Sequence, residues 1–181
     1  MINLKKLGDE MSQKQDNVGL FIPAGIHENV QLDEVKIKQT SAGVEILELT
    51  YKKDNRKCYQ TEWLHPSDPI EQQEKVASRI LCVLKVFFSK EVIDKIEAEN
   101  IVDLAKKTAL ALSSVKDKTL LRMKFVYNDG KEKSMVSTPR YSKFTWIEPM
   151  TIPANESKIQ WLTNIDKDAP TKIGVEKDEK R

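Results

Sequence analysis

The sequence predicts a mainly β domain with added helices, an α+β fold organised around a small closed sheet. Three observations predict it. Residues 25–66 hold three consecutive stretches of β-branched, aliphatic and aromatic residues separated by two turn-rich breaks. An apolar stripe at helical spacing follows from Ile70. Strand-like alternation then resumes near Thr119. With 181 residues the chain can bury a core without covalent staples.

Residues 1–18 are polar and read as an arm or a short helix, and 19–25 as an extended lead-in, because Pro23 and Gly25 both disfavour a helix. The first strand covers about 26–39. Its apolar positions, Val30 and Leu32 and then Val35 and Ile37, slip by one residue at Asp33-Glu34, which predicts a β-bulge. Ser41-Ala42-Gly43 makes the turn into a second strand, about 43–51, which slips at Ile46-Leu47. Two bent strands suit a closed barrel, since closure needs tilt and coiling. A turn at 52–56 leads to a third strand, about 57–64, ended by Pro66 and Pro69. Ser67 or Asp68 can cap a helix over 70–88 with Val76, Ile80, Leu84, Phe87 and Phe88 on one face. Further helical stretches cover about 90–98 and 101–115.

The strand at 119–127 places Leu121, Met123, Phe125 and Tyr127 on one face and Arg122 and Lys124 on the other, which predicts outward-pointing cations. Asn128-Asp129-Gly130 is a hairpin turn into a return strand at 131–138, and 144–147 is a further extended piece. The order β-β-β-(helices)-β-β is that of the oligonucleotide-binding (OB) fold, a five-stranded Greek-key barrel, here with a helical insertion at about 69–115 between strands 3 and 4. An open mixed sheet would give the same order. The expected division is an arm at 1–18, an OB-fold domain at 19–150, and a C-terminal extension and charged tail at 151–181, with 159–162 docking on the domain.

Formal net charge is +2 although 32% of residues are charged, so a nucleic-acid argument rests on local charge. Cys58 and Cys82 form no CxxC pair, and His27 and His65 do not complete a zinc site with them. The N-terminal residues lack the apolar core of a signal peptide, and the apolar run at 80–88 is short and broken by Lys85. A soluble, cytoplasmic protein without a membrane partner is the expectation.

Cations cluster in two blocks. Residues 36–57 carry six Lys/Arg (Lys36, Lys38, Lys52, Lys53, Arg56, Lys57) against three acids. Residues 118–144 carry seven against two, including Arg122, Lys124, Arg140 and Lys143. Tyr51, Tyr59, Trp63, Tyr141, Phe144 and Trp146 are interleaved with them. Cations for phosphates and aromatic platforms for bases are what a single strand requires. The expected DNA-binding set is Lys36, Lys38, Lys52, Lys53, Arg56, Arg122, Lys124, Arg140 and Lys143 with the six aromatics. An aromatic in a barrel strand is more often a core residue, and a basic turn is usually a solvated loop.

Catalysis finds less support. P-loop, GxSxG and HExxH patterns are absent, and His27, Glu28, Glu62 and His65 are linked only as neighbours at strand ends. No catalytic residue, metal ligand or cofactor is assigned. A metal-dependent nucleic-acid enzyme and an interaction module using the apolar part of 80–88 stand as alternatives.

The stretches FIPAGIHENV, GVEILELTY and TEWLHP, spanning 21–66, resemble single-stranded DNA-binding proteins of tailed bacteriophages with a GxHENV-type first strand and a TEW-type third strand. The resemblance implies an OB fold and binding of single-stranded DNA, without strong sequence preference, in phage DNA replication or recombination in the host cytoplasm. It leaves room for replication or recombination proteins as partners and for a homo-oligomer. Residues 166–181 hold five acids and five bases and end in Lys180-Arg181, unlike the acidic recruitment tail of many such proteins.

Overall fold

β1 (Gly25–Gln39) is long enough to serve two neighbours. In the computed structural model, which describes residues 1–18 (backbone only from 12), 20–128 and 135–166, it pairs antiparallel with β2 (Glu45–Lys53) through residues 31–39 and with β4 (Leu120–Tyr127) through residues 25–31. Two register slips bend it between these partners. One lies between Leu32 and Glu34, as the phase of the apolar residues predicts. The other lies between His27 and Val30, where Asn29 takes a positive φ of 57°, a conformation Asn tolerates better than most residues. His27 braces this second bend through a 2.8 Å hydrogen bond between Nε2 and the Pro23 carbonyl. The HEN tripeptide is therefore the corner of the barrel wall.

β2 pairs with β3 (Arg56–Leu64) in unbroken register from Glu45↔Leu64 to Lys53↔Arg56. The slip expected at Ile46-Leu47 is absent. Both residues are buried for another reason: Leu47 belongs to the interior core, and Ile46 stands on the outer face between Lys38 and Trp63. β5 (Val136–Ser137) and β6 (Ile147–Pro149) both pair with β4, giving the order β3-β2-β1-β4-β5 with β6 alongside β4. β5 returns towards β3, and the Cys58 thiol donates to the Val136 carbonyl at 3.6 Å. The result is a nearly closed antiparallel barrel of five strands with helices, a mixed α/β architecture.

In chain order α2 (Ile70–Phe87), α3 (Lys90–Asp94) and α4 (Ile101–Ser113) lie between β3 and β4. The second helical stretch is shorter than its periodicity predicts. Ser89 and Asn100 cap α3 and α4 through their side chains. Ser67 and Asp68 do not cap α2. Its cap is Pro69, and Gln73 instead donates to the Pro66 and Asp68 carbonyls and accepts from the Ile101 amide. α2 buries Ile80, Val83 and Leu84, and α4 buries Ile101, Ala105 and Leu112, against Val30, Leu32, Leu47, Leu49, Tyr51 and Phe125 of the strands. Each such large apolar side chain contributes about 1.5–3 kcal/mol on burial. α1 (Leu4–Val18) precedes the barrel and leaves Leu4, Leu7 and Met11 exposed.

The Asp129-Gly130 half of the hairpin, the first part of the expected return strand and the charged tail beyond Asp166 lie outside the described residues. Among the described residues no helix is long and apolar enough to cross a membrane.

Candidate nucleic-acid interface

Strand alternation and register together place the first basic block. In β3, Cys58, Gln60, Glu62 and Leu64 face inward and are buried, so Lys57, Tyr59, Thr61 and Trp63 face outward. Antiparallel pairing continues these positions across the sheet. Trp63 stands opposite Ile46, itself opposite Lys38; Thr61 opposite Glu48, itself opposite Lys36; Tyr59 opposite Thr50; and Lys57 opposite Lys52. Tyr59 is 36% exposed and Trp63 47% exposed. At about 3.3 Å per residue the two rings stand roughly 13 Å apart along one strand.

Lysines edge this face, each beside a carboxylate. Lys36 pairs with Glu34 at 3.3 Å, Lys38 with Glu48 at 2.9 Å and Lys52 with Asp33 at 3.0 Å, while Lys57 approaches Asp33 at 3.9 Å. The hydrogen bond to Glu48 raises the Lys38 ammonium above its ordinary value, so it stays charged. Exposed pairs of this kind are worth only about 0–1 kcal/mol, and an incoming phosphate can displace the carboxylate. Three carboxylates, Glu34, Glu48 and Asp33, offset the four lysines only in part.

One aromatic on this face carried no signal as a site in the sequence. Phe21 makes a parallel bridge to Lys57 and is 53% exposed, while Ile22 beside it is buried. The lead-in is sewn onto β3 by Ile22 N–H to Lys57 O and Lys57 N–H to Leu20 O. The alternation of exposed Phe21 with buried Ile22 marks a strand-like segment.

The second basic block is arranged differently. Arg122 and Lys124 do project from the face of β4 opposite Leu121, Met123 and Phe125, but they do not reach solvent: Arg122 is 4% and Lys124 0% exposed. The chain after β6 covers them. Arg122 bonds Glu148 of β6 at 2.7 Å and the Ile152 carbonyl at 3.0 Å, with Glu28 of β1 at 3.7 Å. Ser157 and the Lys158 amide complete the Glu148 carboxylate. Lys124 donates to Asp166 and to the Gln160 carbonyl, both at 2.8 Å. Asp166 also accepts from the Tyr141 hydroxyl and the Leu162 amide. Burial, then the bond to Asp166, pushes the Tyr141 phenol far above its ordinary value. A buried charge is tolerable when it is paired and its remaining donors are satisfied, as here.

Tyr51 and Trp146 are also corrected from surface to core. Tyr51 is fully buried in the barrel and donates to Gln60 at 2.8 Å. Trp146 is fully buried and donates to the Tyr141 carbonyl at 3.0 Å. Neither can stack on a base. Arg140 stays exposed but bridges back to β3, with the Thr61 carbonyl at 2.9 Å and Glu62 at 3.1 Å. Lys143 lies over the exposed Phe144 ring, which meets Tyr141 edge-on at 5.9 Å. Lys53 and Arg56 sit at the β2–β3 turn on the inward side of the hairpin, round its rim from Lys52 and Lys57.

Two of the residues considered for metal chemistry, Glu62 and His27, are buried and hydrogen-bonded. Glu62 is fully buried, bonded by Arg79 at 3.0 Å and by Gln60 at 3.0 Å. Burial holds the His27 imidazole down to about 4, with a smaller contribution from the fields of Lys53 and Arg56 opposing the bond to Pro23. Burial pushes the Cys58 thiol up to about 12, so it remains a protonated core residue. Among the described residues no three His, Cys, Asp or Glu side chains are placed to hold a metal ion. Comparison of the chain with protein-family models, with curated proteins and with solved structures finds no match.

Proposed function

We propose that the chain is a non-catalytic single-stranded DNA-binding protein built on an OB-fold barrel, with α2–α4 as an insertion between its third and fourth strands. The observation that carries this reading is the outer face of β1–β3, where Tyr59 and Trp63 stand open to solvent between Lys36, Lys38, Lys52 and Lys57. An exposed Trp on a sheet costs solubility and contributes nothing to the core, and a base is a flat ligand of matching chemistry. The face of strands 2 and 3 is where OB folds take oligonucleotides. Arg140, tethered beside Thr61, extends the cationic edge past β3. Bases stack on Trp63 and Tyr59, with Phe21 at the margin, and the lysines exchange their carboxylate partners for phosphates. The resemblance of residues 21–66 to phage proteins favours DNA, in replication or recombination.

Titration of the full chain with oligo-dT tests this. Binding is expected at low salt, with log K falling against log salt at a slope near −3 if all four lysines meet phosphates, at about −0.7 each. Duplex DNA of equal length binds more weakly, because stacking needs unpaired bases. No binding at low salt, or a preference for duplex, would overturn the reading.

A protein-interaction module is the second reading, and one observation favours it. The stretch 80–88 docks on the barrel through Ile80, Val83 and Leu84 and leaves Val86, Phe87 and Phe88 partly buried. Phe88, Val92, Ile96, Lys107 and Ala111, however, line an open cavity of about 390 Å³ between α3 and α4. A stable oligomer, indifferent to added DNA in gel filtration, would favour that role.

A further inference from the structure

The cations of the outer face and those of the β2–β3 turn differ in one respect. Lys36, Lys38, Lys52 and Lys57 each lie within 4 Å of a carboxylate. Among the described residues Lys53 and Arg56 have no such partner, although Asp54 lies between them in the turn. They stand instead on the rim of a cavity of about 390 Å³ at the hairpin end of the barrel, over a floor of Ile22 and Pro23 and against the His27 ring. Asp54 at φ 55° closes the hairpin tightly and keeps the two cations side by side as the last cross-strand pair.

The cavity is thus a concave site with an apolar floor, net positive because Lys53 and Arg56 outnumber the one carboxylate, Asp54, that also lines it. Its imidazole wall is uncharged, so the attraction for an anion comes from Lys53 and Arg56. A phosphate entering it meets two cations that give up no existing ion pair, and it is partly shielded from water, which strengthens the attraction. Position then selects the kind of phosphate. A strand lying on the outer face reaches Lys52 and Lys57 at the end of the sheet. The cavity lies round the rim of the hairpin from them, so a continuous backbone would have to fold back sharply to enter, whereas a chain end would not. A phosphate monoester also carries more negative charge than a phosphodiester.

Resting on the reading of the outer face as a single-strand site, we propose that this cavity takes the terminal phosphate of a DNA strand, held by Lys53 and Arg56. The site would favour strands with a phosphorylated end and fix the direction in which a strand lies on the sheet.

Two measurements on the full chain test this. In the first, short oligo-dT is compared with a 5′-phosphate, with a 3′-phosphate and with hydroxyls at both ends. One phosphorylated form is expected to bind several-fold tighter than the other two, and Lys53→Ser with Arg56→Ser is expected to make all three equal. In the second, inorganic phosphate is added without DNA while the His27 ring resonances are followed. A saturable shift that the double substitution abolishes is expected. Oligonucleotides that bind without regard to their ends, together with an unmoved His27, would overturn the subsite and leave the outer-face reading standing. No oligonucleotide binding but a retained His27 shift would leave a phosphate pocket and overturn both the strand-end assignment and the DNA reading. Free phosphate competing as well as the phosphorylated end would also overturn the strand-end assignment.

Discussion

The outer faces of β3 and β4 both carry cations and put them to opposite uses. On β3, Lys57, Tyr59 and Trp63 look into solvent, and the lysines around them keep partly exposed ammonium groups beside half-buried carboxylates. On β4, Arg122 and Lys124 are sealed beneath the chain's own continuation, which supplies Glu148 and Asp166 as permanent counter-ions. One set of cations is available to a ligand. The other has been neutralised by an internal one and fastens residues 147–166 to the barrel. Charge and aromaticity along a strand therefore identify a candidate interface only when nothing later in the chain covers it.

The comparison predicts separable phenotypes. The largest effect belongs to the covered face. Asp166→Ala strands the Lys124 ammonium without its carboxylate in a site closed to water and should cost about 3–5 kcal/mol. That is roughly 6–20 °C in Tm for a chain of this size, read by thermal denaturation. Replacing the pair together, Lys124→Met with Asp166→Leu, should recover only part of that loss, because it removes both charges from the interior but leaves the Tyr141 hydroxyl, the Leu162 amide and the Gln160 carbonyl without these partners. A mild Asp166→Ala phenotype would mean that the covering segment is held some other way.

Next come the open rings. Trp63→Ala and Tyr59→Ala should each weaken oligo-dT binding by about 1–3 kcal/mol, roughly 5–150-fold in Kd, at little cost in stability. Tyr51→Ala, by contrast, should damage the fold, since it removes a fully buried ring and orphans Gln60. Smaller effects belong to the lysines. Lys36→Ala, Lys38→Ala, Lys52→Ala and Lys57→Ala should each reduce the salt slope by about 0.7, whereas the Lys124→Met, Asp166→Leu pair should leave the slope unchanged.

A pH dependence is expected at the bend of β1, the strand that joins the two faces. His27 is held down to about 4 in the folded protein against an ordinary value of 6.5, chiefly by burial. Between those values the unfolded chain binds the extra proton, so stability is full above about pH 6.5 and declines as pH falls towards 4. His27→Gln, which keeps a donor for the Pro23 carbonyl, should lose this component of the acid sensitivity in denaturant melts at pH 7, 6, 5 and 4.

Much of the barrel was legible because strand periodicity is local. The bulge at Asp33-Glu34 could be read from the phase of Val30, Leu32, Val35 and Ile37, and the helices from their stripes. The slip expected at Ile46-Leu47 misled because a residue on the outer face can be buried by neighbours such as Lys38 and Trp63, which a single-strand pattern does not reveal. Asn29 was the local sign of the second bend, next to a His able to brace it.

The candidate site was legible by halves. Tyr59 and Trp63 share a strand parity with Lys57, which alternation reveals. The burial of Arg122 and Lys124 depends on Glu148 and Asp166, placed 26 and 42 residues later in the chain. An Arg-x-Lys on a strand followed by an extension carrying acids is the signal that could have raised the question. Trp146 shows the same limit, since it lies outside any long alternating strand, whereas Tyr51 shares the parity of Leu47 and Leu49 and could have been assigned to the core.

The most direct measurement is intrinsic fluorescence during an oligo-dT titration of the wild type, Trp63→Phe and Trp146→Phe. The account predicts quenching in the wild type that Trp146→Phe retains and Trp63→Phe largely loses, because only Trp63 of that pair lies on the open face. Quenching that persists in Trp63→Phe and vanishes in Trp146→Phe, or binding that leaves all three emission spectra unchanged, would contradict it.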